Sequence, residues 1–176
     1  MRICMIHEDK RSYGQGGGAE TILRENTNIL REMGHEVRWY QGGESFPALM
    51  AEYRPDICHV MTVHNFLGFT EVRWLQSHRW PHIWQLMDYW PFCSGRMLLR
   101  HGDITCSAAS GICDGECDQG EAPSLYREIV NGSPVAALCP DTAAIYRRHG
   151  IRCDYVLSPG VDHLFFIPAP DKRVEG

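Results

Sequence analysis

The strongest constraint on this chain is an alternation of two patterns. Short apolar runs of strand length take turns with segments whose apolar residues recur at helical spacing. Arg2–His7 ("RICMIH") is almost continuously apolar, as expected of a strand covered on both faces. Across Ala19–Met33, residues Ile22, Ile29, Leu30 and Met33 follow a helical period, and Gly34 supplies the stop. His35–Gln41 reads as a second strand, Pro47–Tyr53 as a short helix closed by Arg54-Pro55, and Asp56–Met61 as a third strand. Thr70–His78 reads as helix and His82–Met87 as a fourth strand. After an interruption, Ser124–Val130 (helix), Pro134–Cys139 (strand), Asp141–Gly150 (helix capped by Asp141, stopped by Gly150) and Asp154–Ser158 (strand) resume the pattern. This order predicts an α/β fold, a Rossmann-like parallel sheet with helices on both faces, which binds ligands at the carboxyl ends of its strands.

The interruption, Tyr89–Gly120, is rich in Cys, Gly and Asp and has little periodicity, so it reads as a Cys-rich loop excursion from the core. Residues 1–167 form the expected domain, and 168–176, with Pro168, Pro170 and a charged tail, read as a hinge or linker. The chain of 176 residues is long enough to bury one core of its own. A net charge of -5 and a pI near 6.0 argue against general nucleic-acid binding. No apolar run reaches membrane-spanning length and the first residues lack a long apolar signal core, so a cytoplasmic location is expected.

Ser12–Thr21 ("SYGQGGGAET") places Gly14, Gly16, Gly17 and Gly18 within five residues, just before the first helix. A flexible surface loop is one reading. A dinucleotide fingerprint is a second, since Gly14–Ala19 fits G-x-G-x-x-A. It is disfavoured by the seven residues between strand and glycine, and by a second strand that ends in Gln41 with no acidic residue. The same two features count against a nicotinamide-dependent oxidoreductase. The third reading is a helix N-terminus prepared for an anion, with the N–H groups of Gly17 and Gly18 facing a phosphate or diphosphate.

Eight cysteines are present, and Cys4, Cys58 and Cys139 fall in strand-like runs as small core residues. Cys93, Cys106, Cys113 and Cys117 follow C-x12-C-x6-C-x3-C inside the excursion. Four thiolates on a segment poor in apolar side chains suit a tetrahedral structural zinc site. An iron–sulfur cluster uses the same donors, and reduced or disulfide-paired cysteines are the plain alternative.

Several stretches, in order, resemble the family-4 retaining glycosyltransferases. "GGAETILRENTNILREMGHEV" is similar to the family's Gly-Gly-Ala-Glu opening, helix and Gly-His-Glu-Val. "RPDICHV" resembles its Pro-Asp-x-x-His strand, and "MDYWPFC" its His-Asp-Tyr-Trp segment. "LSPGVDHLFF" resembles the Asn-Gly-Val-Asp-x-x-x-Phe signature closing the N-terminal domain. The resemblance implies the N-terminal, acceptor-side half of a GT-B architecture, with the nucleotide-sugar held by a C-terminal domain beyond the hinge. It implies sugar transfer from a nucleotide diphosphate to a glycan or lipid-linked acceptor, the latter compatible with peripheral membrane association. This chain by itself is then expected to be inactive. Substrate and diphosphate contacts are implied for Gly16, Gly17, Gly18, Glu20, Asn65 and Tyr89, with His64 and Asp88 as candidate catalytic groups. Family members also carry a cysteine-rich insert at the corresponding place. The chain departs from the pattern at Met87, where the family has His, because a thioether offers neither the imidazole's proton nor its hydrogen bonds. A reading from another class is a non-catalytic module that binds a sugar or a protein and carries a structural zinc loop.

Overall fold

A computed structural model of the chain describes residues 1–7, 18–61, 69–93, 99–100, 104–106 and 124–159, with backbone alone at 99–100 and 104–105. Its elements are β1 (Arg2–Ile6), α1 (Gly18–Glu32), β2 (Glu36–Tyr40), α2 (Phe46–Tyr53), β3 (Ile57–Val60), α3 (Thr70–Ser77) and β4 (His82–Gln85). After them come β5 (Leu99–Arg100), β6 (Ile104–Thr105), α4 (Ser124–Asn131), β7 (Val135–Ala137), α5 (Pro140–Arg148) and β8 (Tyr155–Val156). Six strands form an all-parallel sheet in the order β2-β1-β3-β4-β7-β8. The chain steps outward from β1 to β2, then returns past β1 to β3. The strand order therefore reverses between β1 and β3, which makes their carboxyl ends the topological switch point.

The side-chain alternation of β1 shows how the two faces are filled. Cys4 and Ile6 join one buried cluster, together with Leu49 of α2, Leu75 of α3, Val130 of α4 and Tyr146 of α5. Ile3 and Met5 face the other way, against Val37, Met61 and Leu23 of α1. Among the described residues, α1 alone packs on one face and four helices on the other. Both Cys4 and Cys58 are fully buried, in keeping with small core residues.

Several expectations shift by a fraction of a turn. On α1 the buried positions are Leu23 and Thr27, while Ile29 (50% exposed) and Met33 (66% exposed) face outward. Thr27 can occupy the interior because its hydroxyl donates to the Leu23 carbonyl at 2.8 Å and accepts from Trp39 Nε1 at 2.7 Å. The cap of α5 is corrected from Asp141 to Cys139: Pro140 takes the first helical position, which tolerates its missing N–H, and Asp141 falls inside the first turn. Within the excursion, β5 and β6 pair as a short antiparallel ladder that periodicity had not indicated.

At the β2 rim, Arg31 in the last turn of α1 donates from Nη2 to the Val37 carbonyl at 2.9 Å. The guanidinium thus occupies an acceptor that the edge strand would otherwise present to a neighbouring chain.

Candidate functional site

The carboxyl edge of the sheet gathers its polar groups from the ends of three strands. His7 follows β1, is 2% exposed, and its backbone N–H donates to Tyr40 O at 3.0 Å, which continues the ladder one residue past the strand. Its Nε2 lies 3.6 Å from Glu20 Oε1 in the first turn of α1. An acidic residue suits this turn because the unpaired N–H groups give the helix start a partial positive charge. Gly18 opens α1, and a Cβ built there would meet nothing within 4 Å. Glycine at this position is therefore not demanded by contacts with the described residues. Gly16 and Gly17 lie outside the described residues.

On the other side of the switch point, Met61 follows β3 and Met87–Tyr89 follow β4. The Asp88 carboxylate accepts the Trp90 N–H at 3.0 Å, a local turn that fixes the chain as it leaves the sheet. The Asp88 carbonyl accepts from Tyr146 Oη at 3.0 Å, which ties the turn to α5. Tyr89 packs its ring 5.7 Å from that of Tyr146 and 5.8 Å from Phe92. Burial, followed by the nearby Cys139 charge, raises the Tyr89 pKa. Burial also raises that of Tyr146 strongly, so both phenols keep their protons near neutral pH and Tyr146 remains a donor to the Asp88 carbonyl. Changing Tyr146 to Phe strands the Asp88 carbonyl, and the expected loss is about 1–3 kcal/mol of stability in chemical denaturation.

Cys139 is corrected from a small core residue of a strand: it is half-buried and lies beyond β7, which ends at Ala137, as the N-cap of α5. Its backbone N–H donates to Thr142 Oγ1 at 3.1 Å while that hydroxyl donates to the Cys139 carbonyl at 2.9 Å. Hydrogen bonding from Thr142 lowers its thiol pKa. Cys-Pro-x-Thr carries the signal, since Pro favours the first helical position and places the residue before it at the cap.

The other predicted residues divide. Glu20, Gly18, Asp88 and Tyr89 share the carboxyl edge, whereas His64 and Asn65 lie outside the described residues. Cys93 and Cys106 are buried, at 8% and 5% exposure, and belong to the larger apolar cluster. Cys113 and Cys117 lie outside the described residues, and no group of three metal-ligating side chains occurs among the described ones. No helix among the described residues is long and apolar enough to cross a membrane.

The fold defines a Rossmann-like α/β domain whose β1/β3 switch point lies at the carboxyl edge of the sheet. No protein-family model matches the chain, and no curated protein sequence matches it.

Proposed function

We propose that this chain is the acceptor-side domain of a retaining family-4 glycosyltransferase. One observation supports the reading: stretches quoted separately for their resemblance belong to one sheet, with Gly18, Val60, Asp88 and Leu157 all at or just beyond its carboxyl edge. Gly18 opens α1, "RPDICHV" leads from the end of α2 into β3 (Ile57–Val60), "MDYW" follows β4, and Leu157–Pro159 follow β8. In the proposed reaction an acceptor hydroxyl attacks the anomeric carbon, the bond from that carbon to the diphosphate oxygen breaks, and the nucleoside diphosphate departs, its freed oxygen taking the hydroxyl's proton. By resemblance, the N–H groups of Gly17 and Gly18 are the donors that offset the charge developing on the leaving diphosphate. Glu20 and Tyr89 border the same opening, Asp88 is held there by its turn, and His64 and Asn65 supply further polar contacts by resemblance.

Two measurements on the 176-residue chain test this. Amide resonances of Gly18–Glu20 should move on titration with a nucleoside diphosphate, and Gly18→Val should abolish the movement without unfolding the domain. Transfer from common nucleotide sugars should be negligible. Flat amide titrations, or vigorous turnover by this chain alone, overturn the reading.

One feature favours the non-catalytic alternative, a sugar- or protein-binding module. Met87 stands at the family's His position and packs onto the α1-side apolar cluster. Such a module gives a flat diphosphate titration.

The excursion is proposed to hold a structural zinc ion through Cys93, Cys106, Cys113 and Cys117. Two of these thiols are rooted in the core, and four sulfur donors leave no open coordination position for chemistry. Elemental analysis of protein purified without added metal should find one zinc per chain. Cys113→Ser/Cys117→Ser should abolish it, and metal-free wild-type protein would overturn the assignment. Iron with sulfide in the same analysis would replace zinc by a cluster.

A further inference from the structure

His59 on β3 and Gln85 at the end of β4 both belong to the sheet face that carries α1. The register pairs His59 with Ile83, so Gln85 lies diagonally one step further toward the carboxyl edge, on the same face. Gln85 is 2% exposed, and its Nε2 donates to the Leu157 carbonyl at 3.2 Å. That carbonyl can only accept, which fixes the amide nitrogen toward β8 and leaves Oε1 as the outward acceptor. Oε1 has no hydrogen-bond partner, and neither does the buried Nε2 of His59. The Gln85 side chain lies within hydrogen-bonding reach of His59 and opposes the fall in its pKa, but the geometry leaves Nε2 and Oε1 without a well-formed hydrogen bond.

Leaving such a buried atom without a partner is costly, so each of the two favours an occupant that pairs with it. Burial holds the His59 ring neutral, with its pKa lowered to about 4. A neutral ring nitrogen beside an amide oxygen, on the face that carries Met61 and Met87, offers no counter-charge for a phosphate or an ammonium ion. A hydroxyl is complementary to both atoms, since its proton reaches Gln85 Oε1 while its oxygen accepts from His59 Nε2–H.

We propose that His59 and Gln85 form a subsite for one neutral hydroxyl of a polyol substrate, inward of the carboxyl edge between β3 and β4. The inference rests on the acceptor-side reading of the domain and gives that acceptor a polar anchor. A bound water supplies the same hydrogen bonds, so the test must separate the two sources.

The probes are methyl glucoside and glycerol, added to the full chain while the side-chain nitrogen resonances of its histidines are followed. A saturable movement of His59 Nε2 is expected with the polyols and none with inorganic phosphate. In Gln85→Met the apparent Kd should rise about tenfold, with the amide spectrum otherwise preserved. Should that variant fail to fold, the wild-type titration still decides. A flat response to both polyols overturns the proposal and leaves water as the occupant, as does an affinity that Gln85→Met leaves unchanged. The nucleoside diphosphate titration reads Gly18 rather than His59, so either result can fail without the other.

Discussion

Replacing Trp84 with alanine is expected to cost the domain on the order of 3–5 kcal/mol, a large share of the roughly 5–15 kcal/mol that holds such a fold together. Trp84 is fully buried in β4, near the middle of the sheet. Its ring lies 5.5 Å from that of Trp90 and 6.5 Å from that of Phe69, so truncation opens a cavity between strand and helices. The indole also donates to the Met61 carbonyl at 3.1 Å, at the site's own edge. Trp84→Phe separates the two contributions: it retains most of the apolar contact and strands the carbonyl, for an expected loss of about 1–3 kcal/mol. Chemical denaturation of both variants gives the numbers. A loss below about 1 kcal/mol for the alanine variant would contradict a close-packed centre at this position.

The second large effect is with pH. Desolvation lowers the His59 pKa from 6.5 to about 4, and Gln85 opposes the shift only in part. The unfolded chain takes up a proton at this residue as pH falls through 6.5, whereas the folded chain resists until about 4. Stability is therefore fully present above pH 6.5 and declines between that value and about 4, by on the order of 3 kcal/mol. Comparing wild type with His59→Asn across this window isolates the contribution, because other titrating groups act on both proteins. Parallel curves for the two would show that His59 is not the cause.

The sheet was legible because its strands are short, apolar and separated by helices with clear stops. Arg2–Ile6, Glu36–Tyr40, Ile57–Val60 and His82–Gln85 each fall within a run the sequence marks as strand. The phase of α1 was not legible. Ile29 and Met33 look like core residues by period, and only the hydrogen bonds of Thr27 make a polar side chain the better occupant. The β5/β6 ladder was missed because two-residue strands carry no alternation. At the candidate site, glycine spacing and the Asp-Tyr-Trp stretch point to residues of which Gly18, Glu20, Asp88 and Tyr89 lie at the carboxyl edge of the sheet. The pairing of His7 with Glu20, the diagonal of His59 and Gln85, and the approach of Cys139 to Tyr89 depend on strands brought together from distant sequence. No local pattern encodes them.

Arg31 gives the sheet a polarity that strand order alone does not express. At the β2 rim its guanidinium covers the Val37 carbonyl, so an incoming strand must first displace a charged side chain. At the β8 rim, Tyr155, Val156 and Leu157 are 53%, 41% and 42% exposed. The two rims are thus guarded by different chemistry: a charged side chain at β2, and at β8 only the Cys153 thiol, which donates to the Tyr155 carbonyl at 3.3 Å. A charge placed at Val156 is expected to reduce any association of a crowded solution of this domain through the apolar β8 side chains, read by light scattering against the wild type.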